Sequence, residues 1–268
     1  MQLTGVTGWP VAHSRSPALH QAAFGSLGLS GWASQLLPIP PELFEETIRA
    51  LPANGFVGVN VTIPHKEAAL RLADEASEEA KAIGAANTLT FLQNGVIAAD
   101  NTDGPAIRSI VEEFGPADLG SATSLVLGAG GSARAAVHAL LATGIGSVSV
   151  WNRNRARAEG LADDFASLEV AEAVDAADVI INTTPVGLSP GATPSDLGLE
   201  AGFPEGIDLF VDLVYAAEET ELVRLARDSG ARCVDGLEVL VRQGALSLEV
   251  WTGRRPDLQV LRDAVLAT

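Results

Sequence analysis

Basic residues are scarce in this chain. Its 268 residues include 17 Lys and Arg against 34 Asp and Glu, a formal net charge of −17. A surface of that sign repels polyanions, which excludes nucleic acid and anionic membranes as expected partners unless positive charge gathers locally. Cysteine is reduced to Cys233 alone, so no intrachain disulfide can form and a metal site would have to rely on His and carboxylates. That usage suits a reducing cytosol, and a cytoplasmic protein without a metal is expected. No run approaches the roughly 18 apolar residues of a membrane-spanning helix. The opening MQLTGVTGWPVAHS also lacks the basic and apolar regions of an export signal. The four tryptophans, at 9, 32, 151 and 251, scatter without the stacking pattern of a single-strand nucleic-acid binder. Internal repeats and low-complexity tracts are missing too.

What is present is the composition of a soluble α/β enzyme, 47% hydrophobic and 19% charged, with 27 Gly and 14 Pro. A chain this long buries roughly 70–75% of the surface its unfolded form exposes, in one large or two modest domains. Short apolar runs alternate with helical patterns, which argues for βαβ units. In the first part LTGVTGW, ASQLLPI and GFVGVNVTI read as strands, with helices at SPALHQAAFGSLGL and PELFEETIRAL. Ala18 and Ala22, with Leu19, Phe24 and Leu27, are expected to face inward from the first helix. TLTFLQNGVIAA has Asn94-Gly95 between two apolar runs, a hairpin signal, so this sheet should be mixed. DNTDGPAIRSIVEEF follows with Ile107, Ile110, Val111 and Phe114 at helical spacing and Thr102 or Asp103 available as a cap. That helix is expected to cross to a second domain. There TSLVLGAGGSARAAVHALLATGIGSVSVWNRN reads as a complete βαβ unit, with further strands at DVIINT, DLFVDLV and ARCVD and helices over the last 30 or so residues.

Gly128-Ala129-Gly130-Gly131-Ser132-Ala133 satisfies G-x-G-x-x-G/A directly after a strand and at the opening of a helix. The first glycine permits the tight turn, the second lets backbone approach a pyrophosphate, and Ala133 allows close helix-strand packing. The bland reading is a glycine turn with no ligand. About 20 residues on, where an NAD enzyme usually keeps an acid for the ribose 2′-hydroxyl, stands Asn152-Arg153-Asn154-Arg155-Ala156-Arg157. Guanidinium groups suit a 2′-phosphate, which favours NADP over NAD. The alternative is a solvated basic helix start, an electrostatically poor one because cations oppose the positive end of the helix dipole.

GVNVTIPHKEAA raises a different question, since Lys66 follows Ile63-Pro64-His65 where a strand gives way to a helix. With Pro64 in the first helical position, Lys66 falls in the first turn, where the dipole disfavours its charge and a desolvating cleft makes it a better proton donor or acceptor. The alternative is an exposed lysine paired with Glu67 or Glu75. Asp103 is in the same way either an acid for chemistry or a plain helix cap. Ser14 and Ser16 precede a helix with Pro17 in its first position, a ready carboxylate site, although Ser16 can serve as the cap with Ser14 idle. Ser14, Ser16, Thr62, Asn87 and Asp103 are short polar groups at strand or helix ends, and such a set can ring a small polyhydroxylated acid. His65 is expected to pack or bond locally, and His138 to be structural. The long segment 183–206, rich in Pro and Gly, is either ligand-sensitive or merely a mobile surface loop.

GVTGWPVAHSRSPALHQAAF, GVNVTIPHK, GAANTL, DNTDG, GAGGSARA, NTTPVGL, DLVY and GLEVLVRQGALSLEVWTG stand in the order and spacing of the shikimate dehydrogenase family, with its quinate-using relatives, and the chain resembles that family from end to end. The resemblance implies two α/β domains. Residues 1–102, completed by helices in 237–268, would form an open mixed-sheet substrate-binding domain, and 103–236 a Rossmann-type parallel-sheet NADP domain. It implies that Ser14 and Ser16 hold a substrate carboxylate, that Thr62, Asn87 and Gln243 contact ring hydroxyls, and that Tyr215 lines the site. Lys66 and Asp103 would be the proton-transfer pair. Cofactor contacts would come from 128–133, from Asn152, Arg153, Asn154, Arg155 and Arg157, and from Thr183, Leu188 and Gly236. The chain departs from the family where Gln21 replaces an Asn, Leu188 a Met and Asn154 a Thr. Leu keeps the volume of Met without its flexibility, so altered cofactor affinity is expected rather than lost function. The implied activity is an NADP-dependent shikimate dehydrogenase, as monomer or homodimer. Quinate or aminoshikimate oxidation is the close rival, and a non-catalytic sensor of dinucleotide and cyclic acid the more distant one.

Overall fold

A computed structural model of the chain describes residues 1–188, 191–200, 202–216 and 218–268. Two compact units emerge, one of residues 1–103 with 240–268 and one of 104–239. The divides fall one residue and three residues later than the boundaries read from sequence, both inside helices.

The first unit holds β1 (Gln2–Gly8), α1 (Ser16–Ser26), β2 (Trp32–Pro38), α2 (Phe44–Ala50), β3 (Phe56–Val61), α3 (Lys66–Leu72), β4 (Glu75–Ala76), α4 (Glu78–Ile83), β5 (Thr88–Phe91) and β6 (Ile97–Asp100). Its sheet runs β2-β1-β3-β5-β6-β4, with β5 antiparallel to both neighbours and the other pairings parallel. The hairpin is present, but its turn is not centred on Asn94-Gly95. Leu92 O accepts from Gly95 N–H at 3.0 Å and Leu92 N–H reaches Val96 O at 2.9 Å. Gln93 and Asn94 therefore make the turn, and Gly95, at φ 85°, takes the left-handed position after it.

One face of this sheet is covered by Phe44 and Ile48 of α2 and Ala69 and Leu72 of α3, packed on Phe56, Val59, Val61 and Leu89. The inward stripe of α1 is Leu19, His20, Ala23 and Phe24 rather than one centred on Ala18 and Ala22, which are only half-buried. The 3.6-residue period places 19, 20, 23 and 24 on one face, and a polar histidine is tolerated there because Ser34 bonds it.

The second unit holds the length of α5 (Asp103–Phe114) beyond its first residue, β7 (Thr123–Leu127), α6 (Gly131–Ala142), β8 (Ser147–Trp151), α7 (Arg155–Ala162), β9 (Leu168–Val170), β10 (Val179–Asn182), β11 (Leu209–Asp212), α8 (Glu221–Asp228) and β12 (Arg232–Val234). Its strands are all parallel in the order β12-β11-β10-β7-β8-β9, the arrangement of doubly wound dinucleotide-binding sheets. Both faces are buried, which explains runs such as SLVL and VIIN without alternation. Val126, Val150, Ile181 and Val211 face α5, α6 and α7, while Leu125, Leu127, Ile180 and Phe210 face α8 and the segment 197–207. Of α9 (Gly236–Thr252) and α10 (Leu258–Leu266), everything from Leu240 onward belongs to the first unit. There α10 packs on α1 and buries Leu261 and Val265. Among the described residues no helix is long and apolar enough to cross a membrane.

Candidate active site

The carboxyl ends of β1, β3 and β6 and the amino end of β5 lie at one edge of the first sheet, because β5 alone runs the other way. Chain leaving or entering those ends carries most of the polar residues singled out above. Lys66 opens α3 after β3, and Asp103 opens α5 after β6. Their side chains meet at 2.8 Å, Lys66 Nζ donating to Asp103 Oδ2, with only 10% and 9% of each exposed. Burial makes this more than a surface pair, since each charge would be stranded without the other. The backbone holds both ends in place. Lys66 O accepts from Ala86 N–H at 2.9 Å, Asn101 Nδ2 donates to Ala85 O at 2.8 Å, and Asn101 Oδ1 accepts from Asp103 N–H at 3.0 Å.

Asn87 stands at the same edge. Its Oδ1 accepts from Thr102 N–H at 2.8 Å, and its Nδ2 donates to Thr102 Oγ1 at 2.9 Å and to Gln243 Oε1 of α9 at 3.4 Å. Asn60, Thr88 and Ser247 are buried behind it, with Asn60 Nδ2 donating to Ser247 Oγ at 2.8 Å and to Thr88 Oγ1 at 3.1 Å. Ser14 and Ser16 bond one another, Oγ to Oγ at 3.2 Å. Thr62 follows β3, its N–H bonded to Thr7 O at 2.8 Å.

The placements of Pro64 and Pro17 are corrected, and two of the alternatives fall away. Pro64 does not occupy the first helical position, because α3 starts only at Lys66. Pro64, joined to Ile63 by a cis peptide, lies in a turn closed by His65 N–H to Thr62 O at 2.9 Å. Lys66 pairs with Asp103, not with Glu67 or Glu75. Ser16 is the first residue of α1 rather than its cap, which puts Pro17 second, and its own N–H points to Ser14 Oγ at 3.3 Å. His65 does bond locally, Nε2 to Ile39 O at 2.7 Å, with its ring stacked 4.3 Å from that of Phe44. Burial pushes its imidazole below the ordinary range, opposed by the bond to that carbonyl.

In the second unit, β7 ends at the switch point where the sheet order reverses, and the glycine turn follows it. Gly128 sits at φ +110°, and a Cβ there would lie 2.5 Å from Thr183 Oγ1. Thr183 itself ties β10 to β7 by donating Oγ1 to Leu127 O at 2.7 Å. A Cβ at Gly130 would meet nothing within 4 Å, so open space lies over the start of α6, whose first turn carries no acid. Room over a helix start and no opposing charge fit a dinucleotide phosphate. Ala129, Gly131 and Ser132 line the same turn, and Ala133 is fully buried against the sheet.

After β8, Asn152 Nδ2 caps the bend at Asn154 O, 2.8 Å away. Arg153 is exposed and reaches Asp196 Oδ1 at 2.9 Å. Arg155 is held by Glu159 at 2.8 Å and Glu172 at 2.6 Å, while Arg157 is exposed on α7. Leu188 is 38% exposed. Tyr215 follows β11, and Gly236 opens α9 against the backbone of Leu213 and Val214. Of segment 183–206, Ser189, Pro190 and Ala201 lie outside the described residues, and Pro194–Leu197 forms a short 3₁₀ turn. Among the described residues no three His, Cys, Asp or Glu side chains gather as a metal set.

Asn60, Thr88 and Ser247 had not been singled out from the sequence. The one signal for Asn60 is a polar residue inside an otherwise apolar strand. Ser247 carries no comparable mark in α9.

Residues 6–89 match a family description of the shikimate dehydrogenase substrate binding domain. Residues 109–187 match shikimate / quinate 5-dehydrogenase, and 236–266 the shikimate 5′-dehydrogenase C-terminal domain. Shikimate dehydrogenase (NADP(+)) of Paracoccus denitrificans is 43% identical over 99% of this chain and 96% of its own. The crystal structure of shikimate 5-dehydrogenase from Thermus thermophilus in complex with NADP(H) and shikimate superposes with a TM-score of 0.85 at 38% identity, covering 99% and 98% of the two chains. Quinate dehydrogenase from Corynebacterium glutamicum in complex with NAD gives 0.86 at 28%, covering 100% and 99%. With an edge of polar groups on a mixed sheet, a glycine turn at a Rossmann switch point and relatives alike over their whole length, the chain belongs to the shikimate dehydrogenase family.

Proposed function

We propose that this protein is an NADP-dependent shikimate dehydrogenase that interconverts 3-dehydroshikimate and shikimate in aromatic amino acid biosynthesis. The observation that carries the reading is the buried 2.8 Å Lys66–Asp103 pair set beside Asn87 and Gln243 at one sheet edge. NADP, when bound, supplies or accepts the hydride at the carbon bearing the reacting oxygen. Lys66 donates a proton from Nζ to that oxygen as the ketone is reduced and takes it back in the reverse direction. Asp103 orients the ammonium and balances its charge. Asn87, Gln243 and Thr62 bind the ring hydroxyls, and Ser14 with Ser16 the carboxylate, so the substrate arrives in one orientation.

The 128–133 turn holds the pyrophosphate, with Thr183, Leu188 and Gly236 as further cofactor contacts. Arg153 holds the 2′-phosphate with Asn152 and Asn154 beside it. Arg155 and Arg157 are secondary, since Arg155 already satisfies two carboxylates. The first unit thus takes the cyclic acid and the second the dinucleotide. A cytoplasmic setting fits the lone cysteine, with monomer or homodimer as the working form.

The test is the near-ultraviolet absorbance of reduced nicotinamide after mixing protein, shikimate and NADP+ at several pH values above neutrality. Growth of that band is expected. A flat trace throughout would favour a sensor, and faster turnover with quinate or with NAD+ would move the assignment to the quinate-using branch.

A further inference from the structure

Behind Asn87 lies a line of buried polar groups that the chemistry above leaves unused. His20 on α1 is fully buried, and its Nδ1 stands 2.8 Å from Ser34 Oγ on β2. Burial pushes this imidazole down to about 4, opposed by its approach to the Asn60 amide. Asn60 spends Nδ2 on Ser247 Oγ, Thr88 Oγ1 and Asn87 O, at 2.8, 3.1 and 3.2 Å. Two atoms of these neighbouring side chains then remain without a well-formed hydrogen bond, His20 Nε2 and Asn60 Oδ1. A neutral ring with its proton on Nε2 satisfies both by a small approach, and leaves Nδ1 to accept from the Ser34 hydroxyl.

From Asn60 the chain has one direction. Asn60 Nδ2 donates to Thr88 Oγ1, and Thr88 Oγ1 donates to Asn87 Oδ1 at 3.1 Å. Thr102 donates to the same Asn87 oxygen from its N–H at 2.8 Å. The oxygen of Asn87 is thereby saturated from inside the protein, and its NH₂ is the end turned toward Gln243. Reversing the Asn60 amide would set donor against donor at His20 and turn its oxygen onto the carbonyl of Asn87, which its NH₂ now meets at 3.2 Å.

We propose that His20 and Asn60 are positioning residues of the substrate site, fixing through Thr88 which end of the Asn87 amide meets a ring hydroxyl. This rests on the reading of Asn87 as a substrate contact. Asn60→Asp keeps the shape and removes the donor; His20→Phe keeps a ring and removes both nitrogens. Each is expected to raise the shikimate KM and the calorimetric shikimate Kd about tenfold, with a smaller change in kcat, and to leave the NADP+ Kd unchanged. In an Asn87→Ala background, Asn60→Asp should add nothing to the shikimate KM. Unchanged shikimate KM in both variants while Asn87→Ala raises it, or additive effects in the double variant, overturns the proposal and spares the Asn87 reading. Unchanged KM in Asn87→Ala overturns both. The long-range nitrogen–proton spectrum of wild-type protein needs no variant: the Nε2–H tautomer of His20 is expected, and the Nδ1–H tautomer overturns the chain.

Discussion

Lys66 is tolerated in the interior because Asp103 meets it at 2.8 Å, and the proposed proton transfer rests on that pair. Lys66→Ala should lower kcat by about 10²–10⁴, the span of a general acid or base, with a smaller change in KM; near-normal kcat would remove Lys66 from the chemistry. At the dinucleotide end, Asp196 bonds the Arg153 guanidinium proposed above for the 2′-phosphate, and its second oxygen is already taken by Thr193 N–H at 2.9 Å. Exposed pairs are worth about 0.2–1 kcal/mol, so Asp196→Asn should tighten NADP+ binding by about two- to fivefold and leave NAD+ unchanged in calorimetric titrations. Equal shifts for both dinucleotides would exclude a role at the 2′-phosphate. Lys66 and Arg153 stood out in the sequence because a cation at a helix start opposes the dipole, whereas Asp103 read equally as a helix cap until the family resemblance paired it with Lys66. His20 and Asn60 did not stand out, because their neighbours are set by sheet register, such as Asn60 opposite Thr88, which no local spacing encodes.

The elements that pattern alone revealed are those long enough to show a period or bounded by glycine. Among them are β1 to β3, α1, α2, the hairpin, α5, the β7-turn-α6-β8 unit, β10 and β11. Strands of two or three residues carry no period, and of these β4 and β9 went unseen while β12 showed only as ARCVD. The start of α3 was misplaced for a different reason: a proline before a helix reads as its first residue unless the turn closed by Thr62 O is known. The glycine turn allows a sharp test. Gly128→Ala puts a side chain at φ +110° and onto the Thr183 hydroxyl, so a stability loss of about 1–3 kcal/mol is expected. A weaker NADP+ Kd should accompany it, because the turn can no longer present its N–H groups. An unchanged melting temperature would show that the backbone relaxes there at no cost.

Each unit of the molecule carries its own buried titrating group, and the two respond to acid in opposite senses. His20, in the first unit, lies at about 4 against an ordinary 6.5, because burial disfavours its charge. The unfolded chain therefore protonates first, and His20's contribution, full above about 6.5, is lost as pH falls toward 4. Asp212, in the second unit, is raised by burial to about 6 from 3.8, against the bonds it accepts from Thr220, Val214 and Asn182. The folded state holds that proton, so its contribution is full below about 3.8 and lost as pH rises through 6. Each amounts to about 3 kcal/mol. Hydrogen exchange, corrected for intrinsic rates, should show protection falling in β1, β3 and α1 and rising in β10 and β11 between neutral and about pH 4.5. Parallel changes in both would show that other groups dominate.

The order of chain in the first unit has a further consequence. Its sheet is complete by Asp100, yet Leu248, Leu261 and Val265, which bury themselves in the same unit, come some 150 residues later. On the ribosome β1 to β6 must wait through the synthesis of an entire contiguous domain before α9 and α10 arrive, so the nascent first unit is the part most in need of a chaperone while the second is already able to close.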